Sequence, residues 1–363
     1  MGFTHDVIVI GAGAGGLAAA GGCALFGLKV ALIERAEMGG ECLNNGCVPS
    51  KALITAAKRA ATANIQTRFG VQLGAPRVDW PGVHAHIHET IARIAPHDSV
   101  ERFEEMGCDV YRGHATFVGK RKVQAGETTL SAPRIVIATG SEPAVPPIEG
   151  LNTVPYLTNE NIWDLQALPQ HLVIVGGGAI GMEMAQSFRR LGSEVTVIEP
   201  GNLLSRDDPE SVAVVVDRME AEGVMFVRGK AAKVVPGALG SFTLSLEDGQ
   251  EIAGTHLLLA TGRKARVEGY GLEEIGVDLI DPPAGVKSNG IWFRNHDGMP
   301  VEIQAAEKSM PDTKAEFNVT SVPAGESAAV PRSKAPRVHP RRLAHFLMFT
   351  SDVPRDLEFY AKT

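Results

Sequence analysis

Aromatic residues are scarce in this chain: Trp, Tyr and Phe together make up 6% of its 363 residues. Cysteine is scarcer still, with four in all. Four cysteines are too few for a disulfide scaffold, so the chain reads as intracellular and cytoplasmic. Positive charge is not in excess either, because 35 Lys and Arg face 42 Asp and Glu, for a net charge of -7. That balance excludes the basic footprint of a nucleic-acid binder. No apolar run reaches the ~18 residues of a membrane span, and no charged-then-apolar signal peptide opens the chain.

What the chain has in surplus is glycine, 40 residues of it, and the glycines are patterned. Asp6 to Ile10 is a continuous apolar run, as a strand buried on both faces should be. It enters Gly11-Ala12-Gly13-Ala14-Gly15-Gly16, a G-x-G-x-x-G loop, then an alanine-rich helix ended by Gly27, then a strand that finishes on Glu34. The glycines permit a tight turn and close approach to a pyrophosphate, the helix start faces the anion, and Glu34 sits where a ribose would donate hydrogen bonds. His171 to Val175 repeats the opening, with Gly176, Gly178 and Gly181 in the loop, Gly192 ending the helix and Glu199 at the next strand tip. In both units 16 residues separate the first glycine from the helix-ending glycine and 23 separate it from the acid, at one offset of 165 residues. Two dinucleotide sites in tandem follow from that repeat. Glu199 favours NADH, because it would repel a 2′-phosphate, although Arg206 lies close by. Each unit closes on a strand that ends in a glycine turn, at Thr139-Gly140 and again at Gly262.

Between the two units stands Gly39-Gly40-Glu41-Cys42-Leu43-Asn44-Asn45-Gly46-Cys47-Val48-Pro49-Ser50-Lys51. Five residues of ideal helix rise about 7.5 Å, more than the ~7 Å a disulfide tolerates between Cα atoms, so a bonded pair demands a distorted first turn. Gly46 and Pro49 permit the distortion, and a helix start is expected to lower a thiol pKa. A static bridge or two buried thiols are the other readings of the pair. Helices are expected from Ala52 to Phe69 and from about Trp80 to Glu105, with a break near Pro96. Val110 to Ser131 reads as short antiparallel strands. His84 and His88 share a helical face but no acid or cysteine completes a metal set, so no metal site is assigned. Cys23 and Cys108 read as small core residues.

Two nucleotide units with G-G-x-C-x4-C-x-P after the first acid resemble the class I pyridine nucleotide–disulfide oxidoreductases, the family of dihydrolipoamide dehydrogenase and mercuric reductase, over residues 1 to about 280. The resemblance implies an α/β chain with two Rossmann-like domains: an FAD-binding domain at 1–150 with a redox disulfide, and an NAD(P)-binding domain at 151–268. It implies that Gly11, Gly13, Gly16 and Glu34 hold the FAD adenosine and pyrophosphate, with Gly113, Ala115, Thr139 and Gly140 touching the same cofactor. Gly176, Gly178, Gly181, Glu199 and Gly262 would serve NAD(P)H. Cys47 would be the charge-transfer thiolate and Cys42 the outer thiol, with Lys51 near the flavin and Glu183 as its ion-pair partner. Electrons would pass from NADH through FAD to the Cys42–Cys47 disulfide, then to a small disulfide or a metal ion such as Hg(II).

After Ile280 the pattern departs from that family. No Gly-Asp dipeptide occurs anywhere. His339-Pro340 lacks the following threonine and acid of the family's dimerisation domain, so that domain reads as missing, with 269–289 a truncated return to the FAD domain. A family homodimer is not expected without it. The tail from 290 to 363 reads as a hairpin, a polar linker over Glu307 to Pro336, and a strand and helix from Leu343 onward. It resembles fragments of vicinal oxygen chelate modules, in which Glu302 and His345 would match ligand positions without completing a set. The alternatives to a truncated reductase are a catalytically incomplete nucleotide-binding remnant and a fusion with such a metal-enzyme fragment.

Overall fold

The computed structural model describes residues 2–65, 70, 74 and 76–272, with three further short strands at 279–280, 291–294 and 300–303. The first unit runs β1 (Val7–Ile10), α1 (Ala14–Leu25), β2 (Val30–Glu34), α2 (Gly40–Asn44), α3 (Cys47–Ile65), α4 (Trp80–Ile94), α5 (Val100–Glu105) and β3 (Cys108–Arg112). It continues through β4 (Ala115–Gly119), β5 (Lys122–Ala125) and β6 (Thr128–Ser131) to β7 (Arg134–Ile137). A connector carries β8 (Ser141–Pro143) and β9 (Tyr156–Leu157). The second unit is β10 (His171–Val175), α6 (Ala179–Leu191), β11 (Glu194–Glu199), α7 (Pro209–Ala221), β12 (Met225–Arg228), β13 (Ala231–Pro236), β14 (Phe242–Leu246), β15 (Glu251–Gly254) and β16 (His256–Leu259). β17 (Arg263–Ala265) then pairs antiparallel with β8.

The repeat runs deeper than the glycine loops. The first sheet has order β3-β2-β1-β7 and the second β12-β11-β10-β16-β9, with parallel pairings throughout. Each unit also inserts a three-stranded antiparallel sheet before its last parallel strand, β4-β5-β6 in one and β13-β14-β15 in the other. These are Rossmann-like α/β units, and the continuous apolar runs are explained by cover on both faces. In β1, Val7 and Val9 pack with Leu17, Ala20 and Phe103 on the helical side, while Ile8 and Ile10 pack with Phe117, Val123 and Leu130 on the antiparallel side. In β10, Leu172 and Ile174 meet Met184, Phe188 and Leu53, while Val173 and Val175 meet Val234, Phe242 and Leu244.

One expectation needs correction, and the break expected near Pro96 is present. Val110 does not join an antiparallel set: β3 lies parallel to β2, because Cys108 and its neighbours are pulled onto the sheet edge by α5 and β2. The antiparallel strands begin at Ala115. The helix from Trp80 is interrupted by a 3-10 turn at Ala95–Asp98, where Pro96 has no N–H to continue the ladder, and Ser99 caps α5 by accepting from Arg102 N. Past Leu272, Leu279–Ile280 pairs with Ile291–Arg294, which pairs with Pro300–Ile303. The segment assigned to the FAD unit and the tail hairpin therefore share one sheet. The linker, strand and helix expected beyond 303, including His345, lie outside the described residues.

Candidate active site

Both loops take their shape from glycines that nothing else can replace. Gly11 has φ +102° and a Cβ there would sit 2.3 Å from the carbonyl oxygen of Ala138; Gly176 has φ +116° and would meet Ala260 at the same 2.3 Å. Gly16 and Gly181 lie behind the loops, where a Cβ would fall 1.7 and 2.0 Å from the Gly11 and Gly176 oxygens. A side chain at Gly178, by contrast, would meet nothing within 4 Å. The first and third glycines are required by packing, and the middle one leaves the backbone open to a ligand. Neither α1 nor α6 has a side-chain cap or an acid in its first turn, so their N-terminal N–H groups remain available to an anion.

The two acids are held alike. Glu34, buried, accepts from Ala12 N at 2.6 Å and Ala36 N at 2.7 Å. Glu199 accepts from Gly177 N at 2.8 Å and Gly201 N at 2.9 Å. Each carboxylate is thus oriented by its own loop before any ribose arrives.

One cleft collects most of the residues expected around FAD: Gly11, Gly13, Glu34, Gly113, Ala115, Thr139 and Gly140 line it. Glu41, Asn44 and Asn45 of the cysteine segment and Arg266 and Tyr270 line it too. Cys42, Cys47, Lys51 and Glu183 are not part of that lining. The cysteine segment is docked on the first loop through glycine. Gly40 has φ +56°, and its Cβ would fall 2.6 Å from the Gly13 Cα. The helix break anticipated between the cysteines is present: α2 ends at Asn44, whose amide donates to Met38 O and Gly40 O, and α3 starts afresh at Cys47.

Cys42 and Cys47 are free thiols, the first half-buried and the second exposed, and they are hydrogen-bonded to each other. Burial, then the hydrogen bond and charge of Cys47, push the Cys42 thiol up to about 11. The lowering expected for a thiol at a helix start does not concern Cys42. Cys42 lies inside five-residue α2, and it is Cys47 that occupies the N-terminal position of α3. Lys51 Nζ stands 2.6 Å from Glu183 Oε1, bridging α3 and α6 with both side chains partly in solvent.

The sequence reading missed the frame around this segment. Arg263 pairs with Glu41 Oε2 at 2.5 Å, and donates to Asn159 Oδ1 at 3.0 Å and to Ser141 Oγ at 2.8 Å. Asn159 donates in turn to Glu41 Oε1 at 3.1 Å. Burial raises the Glu41 carboxyl pKa, and the Arg263 charge opposes the rise. Buried Trp163 donates from Nε1 to Asn159 O at 2.7 Å and to Asn45 O at 3.1 Å, holding the loop between the two cysteines. The one available signal was the position of Arg263 beside Gly262; its partners are far away in sequence.

The cleft fits an elongated dinucleotide. It is lined by a buried acid, by glycine backbone and by Arg266, whose Nε makes no hydrogen bond and lies 3.6 Å from Glu142 Oε2. Arg266 is otherwise tied to Glu160 Oε1 at 2.6 Å. The sequence profile described as pyridine nucleotide-disulphide oxidoreductase matches residues 5–289. The chain belongs to that family. It is 38% identical to a mercuric reductase of Streptomyces lividans over 282 residues, covering 75% of this chain and 60% of that protein. It is 32% identical to a glutathione reductase of Nostoc sp., covering 91% of this chain and 72% of that protein. The solved structure of the HOCl-induced flavoprotein disulfide reductase RclA from Escherichia coli superimposes with a TM-score of 0.67 at 26% identity, covering 78% of this chain and 62% of that one. The chain thus spans about 60% of the length of the mercuric reductase it matches. Family members are FAD-dependent and use NAD(P)H.

Proposed function

We propose that this chain is the electron-receiving part of an FAD-dependent NAD(P)H:disulfide oxidoreductase, with Cys42 and Cys47 as its redox pair. The observation that carries the reading is the docking of a hydrogen-bonded thiol pair onto the first dinucleotide loop by the Gly13–Gly40 contact. Gly11, Gly13, Glu34, Gly113, Ala115, Thr139 and Gly140 would hold FAD, with Gly16 supporting the loop. Gly176, Gly178, Gly181, Glu199 and Gly262 would hold the nicotinamide nucleotide. Glu199, already fixed by two backbone N–H groups, disfavours a 2′-phosphate and so favours NADH. Bound FAD would supply two-electron exchange between the nicotinamide and the cysteine pair.

The chain's own part is thiol exchange. The Cys42 thiolate attacks one sulfur of a disulfide acceptor, forming a mixed disulfide and releasing one thiolate. The Cys47 thiolate then attacks the Cys42 sulfur, closing the Cys42–Cys47 bond and releasing the second thiol. Lys51 and Glu183 link the helix that carries Cys47 to α6. The similarity to mercuric reductases makes Hg(II), a two-thiolate ligand acceptor, the alternative to a small disulfide. Four cysteines are too few for a disulfide scaffold, and we assign the protein to the cytoplasm.

The test uses the purified full chain supplied with FAD. Yellow protein that gains a long-wavelength charge-transfer band on NADH addition supports the assignment, and Cys47→Ser should remove the band while FAD stays bound. Protein that retains no FAD and ignores NADH would instead be a nucleotide-binding remnant, and the proposal would fall. A band that survives Cys47→Ser would reverse the roles given to the two cysteines.

A further inference from the structure

His84 and His88 on α4 take no part in the chemistry above. Sequence spacing supplied only a pair of imidazoles. The fold adds a third donor from a distant segment. His84 Nε2 and His88 Nε2 stand 3.1 Å apart, and the carbonyl oxygen of Trp163 lies 3.2 Å from His88 Nε2. The rings are inclined at 51° with centroids 4.3 Å apart. Two nitrogens at that separation, each at a zinc–nitrogen distance of ~2.0–2.1 Å, subtend roughly 100° at a shared ion, between the square and tetrahedral values. Without an ion, the single Nε2–H of a neutral His88 faces two acceptors, the His84 ring and the Trp163 carbonyl. A cation takes the lone pairs of all three at once.

We propose that His84, His88 and the Trp163 carbonyl form a binding site for a divalent transition metal ion that fastens α4 to the short turn Ile162–Asp164. Two imidazoles and one carbonyl select zinc, nickel or copper over calcium or magnesium, which want oxygen cages. Among the described residues no group of three or more His, Cys, Asp or Glu side chains is placed to hold a metal, so the carbonyl is what completes this face. The site is distinct from the cysteine pair yet mechanically linked to it, because the Trp163 indole also holds Asn45 O between the two thiols.

The test is equilibrium dialysis against Zn(II) of the full chain carrying Cys42→Ser and Cys47→Ser, which removes thiol competition. One ion per chain should be lost on adding either His84→Ala or His88→Ala, and the Zn(II)-induced rise in Tm should vanish with it. Amide exchange over residues 162–164 should slow with Zn(II) only when both histidines are present. Unchanged stoichiometry in both variants overturns the site. Loss of the ion without any change in exchange at 162–164 overturns the fastening. His84→Gln serves the same comparison if His88→Ala fails to fold, since it is His88 that bonds to the turn.

Discussion

The two nucleotide units share strand order, loop geometry and the handling of the acid, yet only one of them carries a cysteine pair. The difference lies in the connection from the second to the third parallel strand. In the second unit Glu199 leads through α7 alone to Met225. In the first, Glu34 leads through α2, α3, α4 and α5 before Cys108 is reached. That insertion holds both cysteines and Lys51, and it docks back on its own loop through Gly40. In the second unit the glycine equivalent to Gly13 is Gly178, and a Cβ there would meet nothing within 4 Å, so no described segment docks at that glycine. The sheet makes a nucleotide site, and the crossover decides what is done there.

Four measurements would break or sharpen that comparison. The largest effect is expected from Gly11→Val and Gly176→Val, each of which forces a side chain against a carbonyl at positive φ. Each should cost about 2–4 kcal/mol of stability, read from the denaturant midpoint. Equal losses support structural equivalence of the loops, and an intact Gly176→Val protein would end it. Next is the thiol itself. With Cys42 raised from 9.0 to about 11, its thiolate fraction at neutral pH is about 100-fold below that of an ordinary thiol, since each pKa unit is tenfold. Alkylation of Cys42 in the reduced protein should therefore climb about tenfold per pH unit up to that value. Cys47→Ser should shift the profile to lower pH, and an unmoved profile would assign the rise to burial alone.

Arg263→Ala comes third. It strands a half-buried Glu41, so it should destabilise by about 1–2 kcal/mol after allowing for solvent at the carboxylate, and Glu41→Gln should recover much of that. Because Arg263 raises the stability of ionised Glu41, the loss should be seen above the carboxyl pKa and shrink as Glu41 is protonated at low pH. The smallest effect is expected at Lys51–Glu183. This pair is 60% and 38% exposed, so a double-mutant cycle with Lys51→Met and Glu183→Gln should return less than about 1 kcal/mol. A larger coupling would show that α3 and α6 depend on it.

What was legible beforehand was whatever depends on local spacing. The glycine loops, the strand-ending acids and the distorted helix between the cysteines rest on motifs whose physics is contained in a few residues, whereas the Lys51–Glu183 pair spans 132 residues and was implied only by the family resemblance. The antiparallel sheets were legible only in part: alternation over Val110 to Ser131 is real, but strand partners are chosen by tertiary contact, and β3 chose β2. The frame of Ser141, Asn159, Trp163 and Arg263 was invisible for the same reason. Each is an ordinary polar or aromatic residue until the connector folds across the cysteine segment. The raised Cys42 pKa also escaped, because a helix start is written in sequence and burial is not.

Trp163 has an optical consequence. Its indole N–H is shared between Asn159 O and the Asn45 carbonyl, midway along the loop that joins the two thiols. A movement of that loop as the proposed pair opens or closes would change the indole's hydrogen bonding. Trp80 donates to Leu165 O, away from the loop. The protein therefore carries its own fluorophore at the hinge of its redox pair, and a stopped-flow trace of tryptophan emission would follow the opening and closing of that bond without any added dye.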